Sequence, residues 1–392
     1  MVPAFSVVMP VFDGVRFLPE ALASLRAQAP VEGGWEAVAA DDGSRDGSRE
    51  LLEAAAREMP LRVIDGARCG NWVASTNKAL AECRGEWVVF LHQDDAFAPS
   101  RLRRLREAAA RFPDCGFLVN DTRFFGTGGR DLGPWRPPLR AGWSPPERCL
   151  PPMLVQNNFA VPGVAVRRTL LEETGSFDET LRYTADWDAW LRLAARGGVV
   201  RIPEDLSFFR VHAGSQTVAN FAARRDEMRA NLERVLERHL PVLGEILPRR
   251  AAVRWERLAR LGVETDLFLA AGGMGAALPW GATARAAVRA GLHRIPAFLR
   301  LSRTVQRTIP RLRAKIAGNT RFETSRPEGV VSRNLSRMVC LFRRCHRRII
   351  SPMNHIAFDF PPRPRRKIRH HTGSFPSDNS EGKNGKPKLE ET

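Results

Sequence analysis

The chain opens on a continuous apolar run of strand length, FSVVMPVF (residues 5–12), and then changes period. In RFLPEALASLRAQ (16–28), Phe17, Leu18, Ala21, Leu22 and Leu25 fall on one helical face. The exchange repeats. WEAVAADDGS (35–44) reads as a strand that ends in acids, and DGSRELLEAAAREM (46–59) as a helix with Asp46 or Ser48 to cap it. LRVIDG (61–66) and NWVASTNKALAEC (71–83) give a third strand and helix. EWVVFL (86–91) and PSRLRRLREAAARF (99–112) give a fourth pair, the helix opened by Pro99, and CGFLVNDTRFF (115–125) a fifth strand. Apolar strands separated by amphipathic helices predict an α/β fold, a mostly parallel sheet flanked by helices.

Beyond the fifth strand the rhythm breaks. Residues 126–153 are rich in Gly, Pro, Trp and Arg and read as one long loop. VPGVAVRRTLLEETG (161–175) then predicts a strand and a short helix. DWDAWLRLAARGG (186–198) predicts a helix ended by Gly197-Gly198, and VVRIPEDLSFFRVH (199–212) a late strand. The chain divides into a sheet domain over 1–217, an Arg-rich helical extension over 218–317, and a polar, Pro-broken segment over 318–392 that is disordered by composition.

Charge sharpens this division. Residues 301–392 hold 21 Lys+Arg against 7 Asp+Glu, so the last quarter carries +14 of the formal +18 and the sheet domain is close to neutral. No nucleic-acid recognition motif accompanies the basic segment, so no specific nucleic acid is expected as a partner. The six cysteines (69, 83, 115, 149, 340 and 345) form no C-x-x-C pair and read as free thiols in a reducing compartment. The N-terminus starts directly on a strand pattern, with no charged n-region of a secretory signal. The longest apolar window, 267–282, carries four Gly and a Pro and is too short to span a bilayer. The expectation is a cytoplasmic protein, peripheral on the membrane at most.

Two strands end on carboxylates: the second on Asp41-Asp42-Gly43-Ser44, the fourth on His92-Gln93-Asp94-Asp95, while the first ends near Asp13. In an open parallel sheet, ligands bind outside the carboxyl ends of the strands. Carboxylates gathered on one rim need a cation or hydrogen-bond donors to hold them. A hard divalent metal prefers carboxylate oxygens and commonly bridges to phosphates. In DWDAW, Asp186 and Asp188 lie about 200° apart on a helix, so they cannot face one ligand.

Seven stretches in order carry a resemblance: SVVMPVFDGVRFLPEALASLRAQ, ADDGSRDGS, GNWVASTNKAL, GEWVVFLHQDDAFAP, VPGVAVRR, ETGSFDETLRYTADWDAWLRLA and FFRVHAGSQT. Over roughly residues 4–217 the chain resembles the family 2 glycosyltransferases, which implies the GT-A nucleotide-diphospho-sugar transferase fold. By that resemblance Pro10, Phe12, Asp41 and Asp42 line the base pocket, with Asp42 accepting the base N–H. Asn77 shapes the nucleotide or diphosphate pocket. His92-Gln93-Asp94 occupies the D-x-D position, with His for the first Asp. Asp94 is assigned to the metal, and His92 and Gln93 to the nucleotide-sugar. Asp186 stands at the catalytic base. Arg210 and His212 face the diphosphate or metal, with His212 taken as a second ligand.

The resemblance thus implies an inverting transferase that uses Mg²⁺ or Mn²⁺. Its donor is a UDP-, dTDP- or GDP-linked sugar and its acceptor a saccharide or lipid-linked hydroxyl. The work fits cell-surface polysaccharide or glycolipid synthesis. Trp135 and Trp143 are available to stack on acceptor sugar. The basic segment offers attachment to an anionic membrane surface. A rival reading is a basic nucleic-acid- or membrane-binding protein with an inert α/β domain. A nucleotidyltransferase would need a Gly-rich, basic phosphate loop after the first strand, which PVFDGVRF is not.

Overall fold

A computed structural model describes residues 2–65, 70–212 and 225–270. The predicted 318–392 segment lies outside the described residues. The first strands are β1 (Phe5–Val11), β2 (Trp35–Asp41), β3 (Leu61–Asp65) and β4 (Trp87–Phe90). They lie parallel in the order β3-β2-β1-β4, with Val11 beside Asp41 and Val8 beside Phe90. The order reverses at β1, so the crevice between β1 and β4 opens at their carboxyl ends.

Why β1 and β4, at the centre of these strands, are almost wholly apolar follows from the two cores. Phe5, Val7, Met9 and Val11 of β1 pack on one face with α1 (Leu18–Arg26), α2 (Ser48–Ala56) and α4 (Arg101–Arg111). Val8, Val38, Val88 and Phe90 point to the other face, toward α3 (Trp72–Ala81) and α7 (Ala185–Gly197). Alternate side chains leave a strand on opposite sides, so a strand covered on both needs apolar residues at every position.

Beyond β4 the sheet is mixed. β9 (Val164–Arg167) runs antiparallel between β4 and β6 (Phe117–Gly126). β10 (Val199–Val211) then lies parallel to β6, with register breaks around Asp205 next to Pro203. The edge is β5 (Ala96–Phe97), two residues antiparallel to β10. Among the described residues this makes one ten-stranded sheet.

The segment expected as a single loop over 126–153 is mostly regular. β7 (Asp131–Trp135) pairs with β6, and β8 (Gly142–Ser144) pairs with β10. Residues Pro146–Val155 form α5 with Pro151 and Pro152 inside it. Proline disfavours a helix interior, but Cys149, Leu150, Met153 and Leu154 are buried there and their packing wins. The short helix α6 (Arg168–Thr174) follows β9. Two long helices, α8 (Arg225–Ile246) and α9 (Arg249–Ala270), add Leu232, Val235, Ala259, Val263 and Leu267 to the core that holds Leu154 and Trp190. No described helix is long and apolar enough to cross a membrane.

Candidate active site

The loops that leave β1 and β2 are tied to each other. Asp13 takes a positive φ of 45°, and its carboxylate accepts the Arg45 N–H at 2.9 Å. Its own N–H donates to Ser44 Oγ at 3.0 Å, and the Gly14 N–H to Ser48 Oγ at 2.8 Å. Asp41 and Asp42 are each only 3% exposed. Asp41 accepts the Ser44 N–H and hydroxyl, which closes the turn, and Asp42 Oδ2 accepts the Gly70 N–H at 3.0 Å. Pro10, beside Ala40, and the half-buried Phe12 lie where β1 meets this rim.

Gln93 spans the crevice. Its Oε1 accepts the Phe12 N–H at 2.7 Å and its Nε2 donates to the Phe12 carbonyl at 3.0 Å, so one amide pins the end of β1 to the end of β4. A Cβ on Gly14 would come within 2.5 Å of that side chain. Only glycine leaves Gln93 its place.

Beside it stands a metal-capable cluster. One ligand atom each from His92, Asp94 and Asp95 lie within 4.8 Å of one another. His92 Nε2 and Asp95 Oδ2 are buried and have no hydrogen-bond partner among the described residues. Orphaned buried polar atoms are costly, and a divalent cation would satisfy both. One imidazole with two carboxylates suits a divalent cation. Burial pushes the His92 imidazole down, toward the neutral form that ligates. Burial, helped by the Asp94 charge, pushes Asp95 well above the usual carboxylate range. Asp94 goes the other way: burial raises it, but the His212 hydrogen bond and the two imidazoles outweigh that.

His212 Nε2 meets Asp94 Oδ2 at 2.9 Å, so the structure brings together the two residues expected to share a metal. The cluster of possible ligands, however, joins Asp94 to His92 and Asp95, and His212, expected as the second ligand, stands hydrogen-bonded to Asp94 instead. The sequence offers Asp95 as a rim carboxylate at the end of the fourth strand and does not single it out as a ligand. Arg210 is 3% exposed and fully engaged. Its N–H donates to Asp95 Oδ1 at 2.9 Å, its Nε to the Asp94 carbonyl at 2.8 Å, and its guanidinium pairs with Glu20. The guanidinium carbon sits 4.9 Å from the Phe17 ring and 4.2 Å from that of Phe125. Arg210 therefore braces the Asp94-Asp95 turn. Asn77 is likewise occupied: its amide exchanges hydrogen bonds with the Phe177 backbone at 2.9 and 3.1 Å and reaches Glu179.

These bonds carry the rim to α7. Helix α3 starts on the rim, and its Asn71 and Trp72 side chains donate to the carbonyls of Glu179 and Arg182, at 3.2 and 2.9 Å. The Trp72 ring also meets His92 edge-on at 5.6 Å. The segment that enters α7 is thereby held beside the cluster, and Asp186 follows in the first turn.

Asp186 Oδ2 accepts from Asn157 Nδ2 at 2.8 Å and Oδ1 from its neighbour's Trp187 N–H at 2.8 Å. Burial raises its carboxyl to about 6 despite those donors. Asp188 is wholly buried and points away. It accepts from Arg192, Arg238 and His239, each at 2.9 Å. Burial would raise it, but the bonds and charges of His239 and Arg192 hold it at about 2.

The two tryptophans expected to stack on sugar do other work. Trp135 is buried against Phe124 and donates to the Asn158 carbonyl at 2.8 Å. Trp143 is exposed, but it pairs with Val200 near the start of β10, roughly 30 Å of strand from Arg210.

Residues 6–168 match the family model of Glycosyl transferase family 2. Over 247 residues the chain is 31% identical to the O-antigen biosynthesis protein RfbC of Myxococcus xanthus, covering 62% of this chain and 18% of that protein. It is 25% identical to the uncharacterized glycosyltransferase YwdF of Bacillus subtilis, over 64% of this chain and 89% of the relative. Among solved structures, S. aureus TarS 1-349 in complex with UDP-GlcNAc superposes with a TM-score of 0.52 at 16% identity, covering 76% of this chain and 91% of that one. That likeness concerns the fold, and it agrees with the GT-A expectation. Residues 6–168 form a glycosyl transferase family 2 region, and the fold around them is GT-A-like.

Proposed function

We propose that the protein is an inverting glycosyltransferase that moves a sugar from a nucleoside-diphosphate carrier to an acceptor hydroxyl. The observation that carries this reading is Asp186: a carboxyl raised by burial to about 6, oriented by Asn157, on the rim that bears the His92/Asp94/Asp95 cluster. A general base works best with a pKa near the working pH.

The donor lies across the β1–β4 crevice, its base against Pro10, Phe12 and Asp42 and its diphosphate toward Asp94. His92, Asp94 and Asp95 are the residues that would hold a divalent ion, and His212 and Arg210 fix their positions. Bound Mg²⁺ or Mn²⁺ supplies charge neutralisation of the departing nucleoside diphosphate. Asp186 takes the proton of the acceptor hydroxyl as that oxygen attacks the anomeric carbon. Each of its oxygens accepts one N–H and keeps a second lone pair for this step. Attack opposite the leaving group inverts the configuration.

The acceptor class is a saccharide or a lipid-linked saccharide, in cell-surface polysaccharide or glycolipid synthesis. The name of the Myxococcus relative supports this. The setting is the cytoplasmic face of a membrane, where the +14 charge of residues 301–392 meets anionic lipid. The test is a panel of UDP-, dTDP- and GDP-sugars, beginning with UDP-N-acetylglucosamine, scored for Mn²⁺-dependent thermal stabilisation and release of nucleoside diphosphate. One responding donor supports the reading. Silence across the whole panel overturns it.

A further inference from the structure

Helix α9 lies outside the family match, yet it reaches the candidate base through two adjacent amides. Asn157 holds Asp186 on α7, and Gln156 donates its Nε2 to Asp266 of α9 at 3.0 Å. Gln156 is extended, with φ −166° and ψ 150°. Successive side chains of an extended segment leave on opposite sides. Gln156 therefore faces back to α9 while Asn157 faces Asp186.

The direction of the Asn157 amide is settled by its other end. Asn157 Oδ1 accepts the Phe159 N–H at 3.3 Å, which leaves Nδ2 to face Asp186. The flanking residues are tied as well. Asn158 Nδ2 donates to the carbonyls of Pro152 and Gln156, at 3.1 and 2.8 Å, and the Asn158 carbonyl accepts from Trp135 Nε1. Gln156 ties this segment to α9 by a side-chain hydrogen bond. The backbone contact beside it is very close: a Cβ on Gly262 would come within 1.9 Å of the Val155 carbonyl oxygen. Only glycine at 262 lets α9 sit near enough for Asp266 to reach Gln156.

We propose that Asp266 is a positioning residue for the base: through Gln156 it fixes the 156–158 segment, and so the N–H of Asn157 that aims Asp186. Asp266 touches neither donor nor acceptor. The proposal rests on the assignment of Asp186 as base. It gives the helical extension a part in the reaction beyond covering the core.

The experiment uses the full chain with Mn²⁺ and reads nucleoside diphosphate release from UDP-N-acetylglucosamine, UDP-glucose, dTDP-glucose and GDP-mannose. The variants are Asp266→Leu, Asp266→Asn, Gln156→Leu and Asp186→Asn, each with its Tm and donor KM. Asp266→Leu is expected to lower kcat about 10- to 100-fold with donor KM within about twofold, the cost of a misplaced catalytic group. Asp266→Asn keeps an acceptor oxygen for Gln156 and restores most of kcat. Gln156→Leu removes the same bond from its other end. Its effect with Asp266→Leu is then less than additive. If Asp266→Leu unfolds, the comparison of Gln156→Leu with Asp266→Asn carries the test.

A lowered Tm with unchanged kcat in Asp266→Leu and Gln156→Leu would overturn the proposal, because it describes helix packing alone. Equal loss in Asp266→Asn and Asp266→Leu would also overturn it, by making the carboxylate itself the active group. Full activity of Asp186→Asn is a separate result. It sinks the base assignment, whatever Asp266 does.

Discussion

Asp186 and Asp188, two residues apart on α7, have opposite surroundings. Asp186 faces Asn157 and is raised by burial to about 6, whereas Asp188 sits among Arg192, Arg238 and His239 and stays near 2. One helical turn thus holds a carboxylate poised to take a proton and another locked in its charged form.

Substitution should separate the two roles. Asp186→Asn is expected to cut turnover ~10²–10⁴-fold while leaving nucleotide binding near wild type and Tm at neutral pH at or above it. Asp188→Asn leaves Arg238, Arg192 and His239 facing an uncharged amide in a dry site. It should lose about 3 kcal/mol of stability, the usual cost of breaking a buried ion pair. Transfer assays run beside thermal melts check both. Loss of transfer in a stably folded Asp188→Asn with active Asp186→Asn would move the base to Asp188.

The pH dependence follows from the same groups. A base must be ionised, so activity should rise with pH through about 6 and lose that limb in Asp186→Asn. Stability runs the other way for the raised carboxyls. With Asp186 at about 6 and Asp266 at about 7 in the fold, the folded state binds more protons than the unfolded chain from the ordinary value of 3.8 upward. Their contribution to stability is therefore lost as pH rises through that window. Asp188, lowered to about 2, contributes stability above 3.8 that is lost as pH falls toward 2. Melting curves from pH 3 to 8 should show a smaller decline between pH 5 and 7 in Asp266→Asn than in wild type, and a weaker acid limb in Asp188→Asn.

Metal removal should be felt through the nucleotide. Calorimetry with UDP, dTDP and GDP is expected to give tighter binding with Mn²⁺ than with EDTA, and Asp94→Ala should abolish most of the difference. Arg210→Met leaves the cluster's own ligands in place but removes the guanidinium bonds to the Asp94 carbonyl and Glu20. A weakening of apparent Mn²⁺ affinity of roughly 10-fold is expected, the scale of losing a group that orients ligands. Equal nucleotide affinity with and without metal in wild type would remove the cluster from the mechanism.

A chain ending at residue 317 should bind nucleotide as the full chain does and lose its salt-sensitive affinity for vesicles that contain phosphatidylserine. The deleted residues carry most of the excess charge, and screening weakens such attraction within a Debye length. Vesicle sedimentation at low and at 0.5 M salt measures it. Unchanged sedimentation after the deletion would assign membrane attachment elsewhere.

By itself the sequence determined what burial encodes. Strands as apolar as β1 and β4 could only belong to a sheet covered on both faces, which is why they were legible, with β2 and β3 following from the alternation with helices. Carboxylates at the ends of β2 and β4 could only lie on its rim. Helical spacing alone made Asp186 and Asp188 diverge. The tertiary structure decided what periodicity does not carry. The antiparallel course of β9 depends on its partner rather than on its pattern, and packing overrode Pro151 and Pro152 in α5. It also decided which polar side chains already have partners. Gln93 is used by Phe12, Asn77 by Phe177, and Arg210 by the turn that it braces, while His92 and Asp95 keep buried atoms open. Those hydrogen bonds join residues far apart in the chain, and nothing local in the sequence records them, because a side chain's burial follows from its own chemistry but its partner is fixed only when the elements pack.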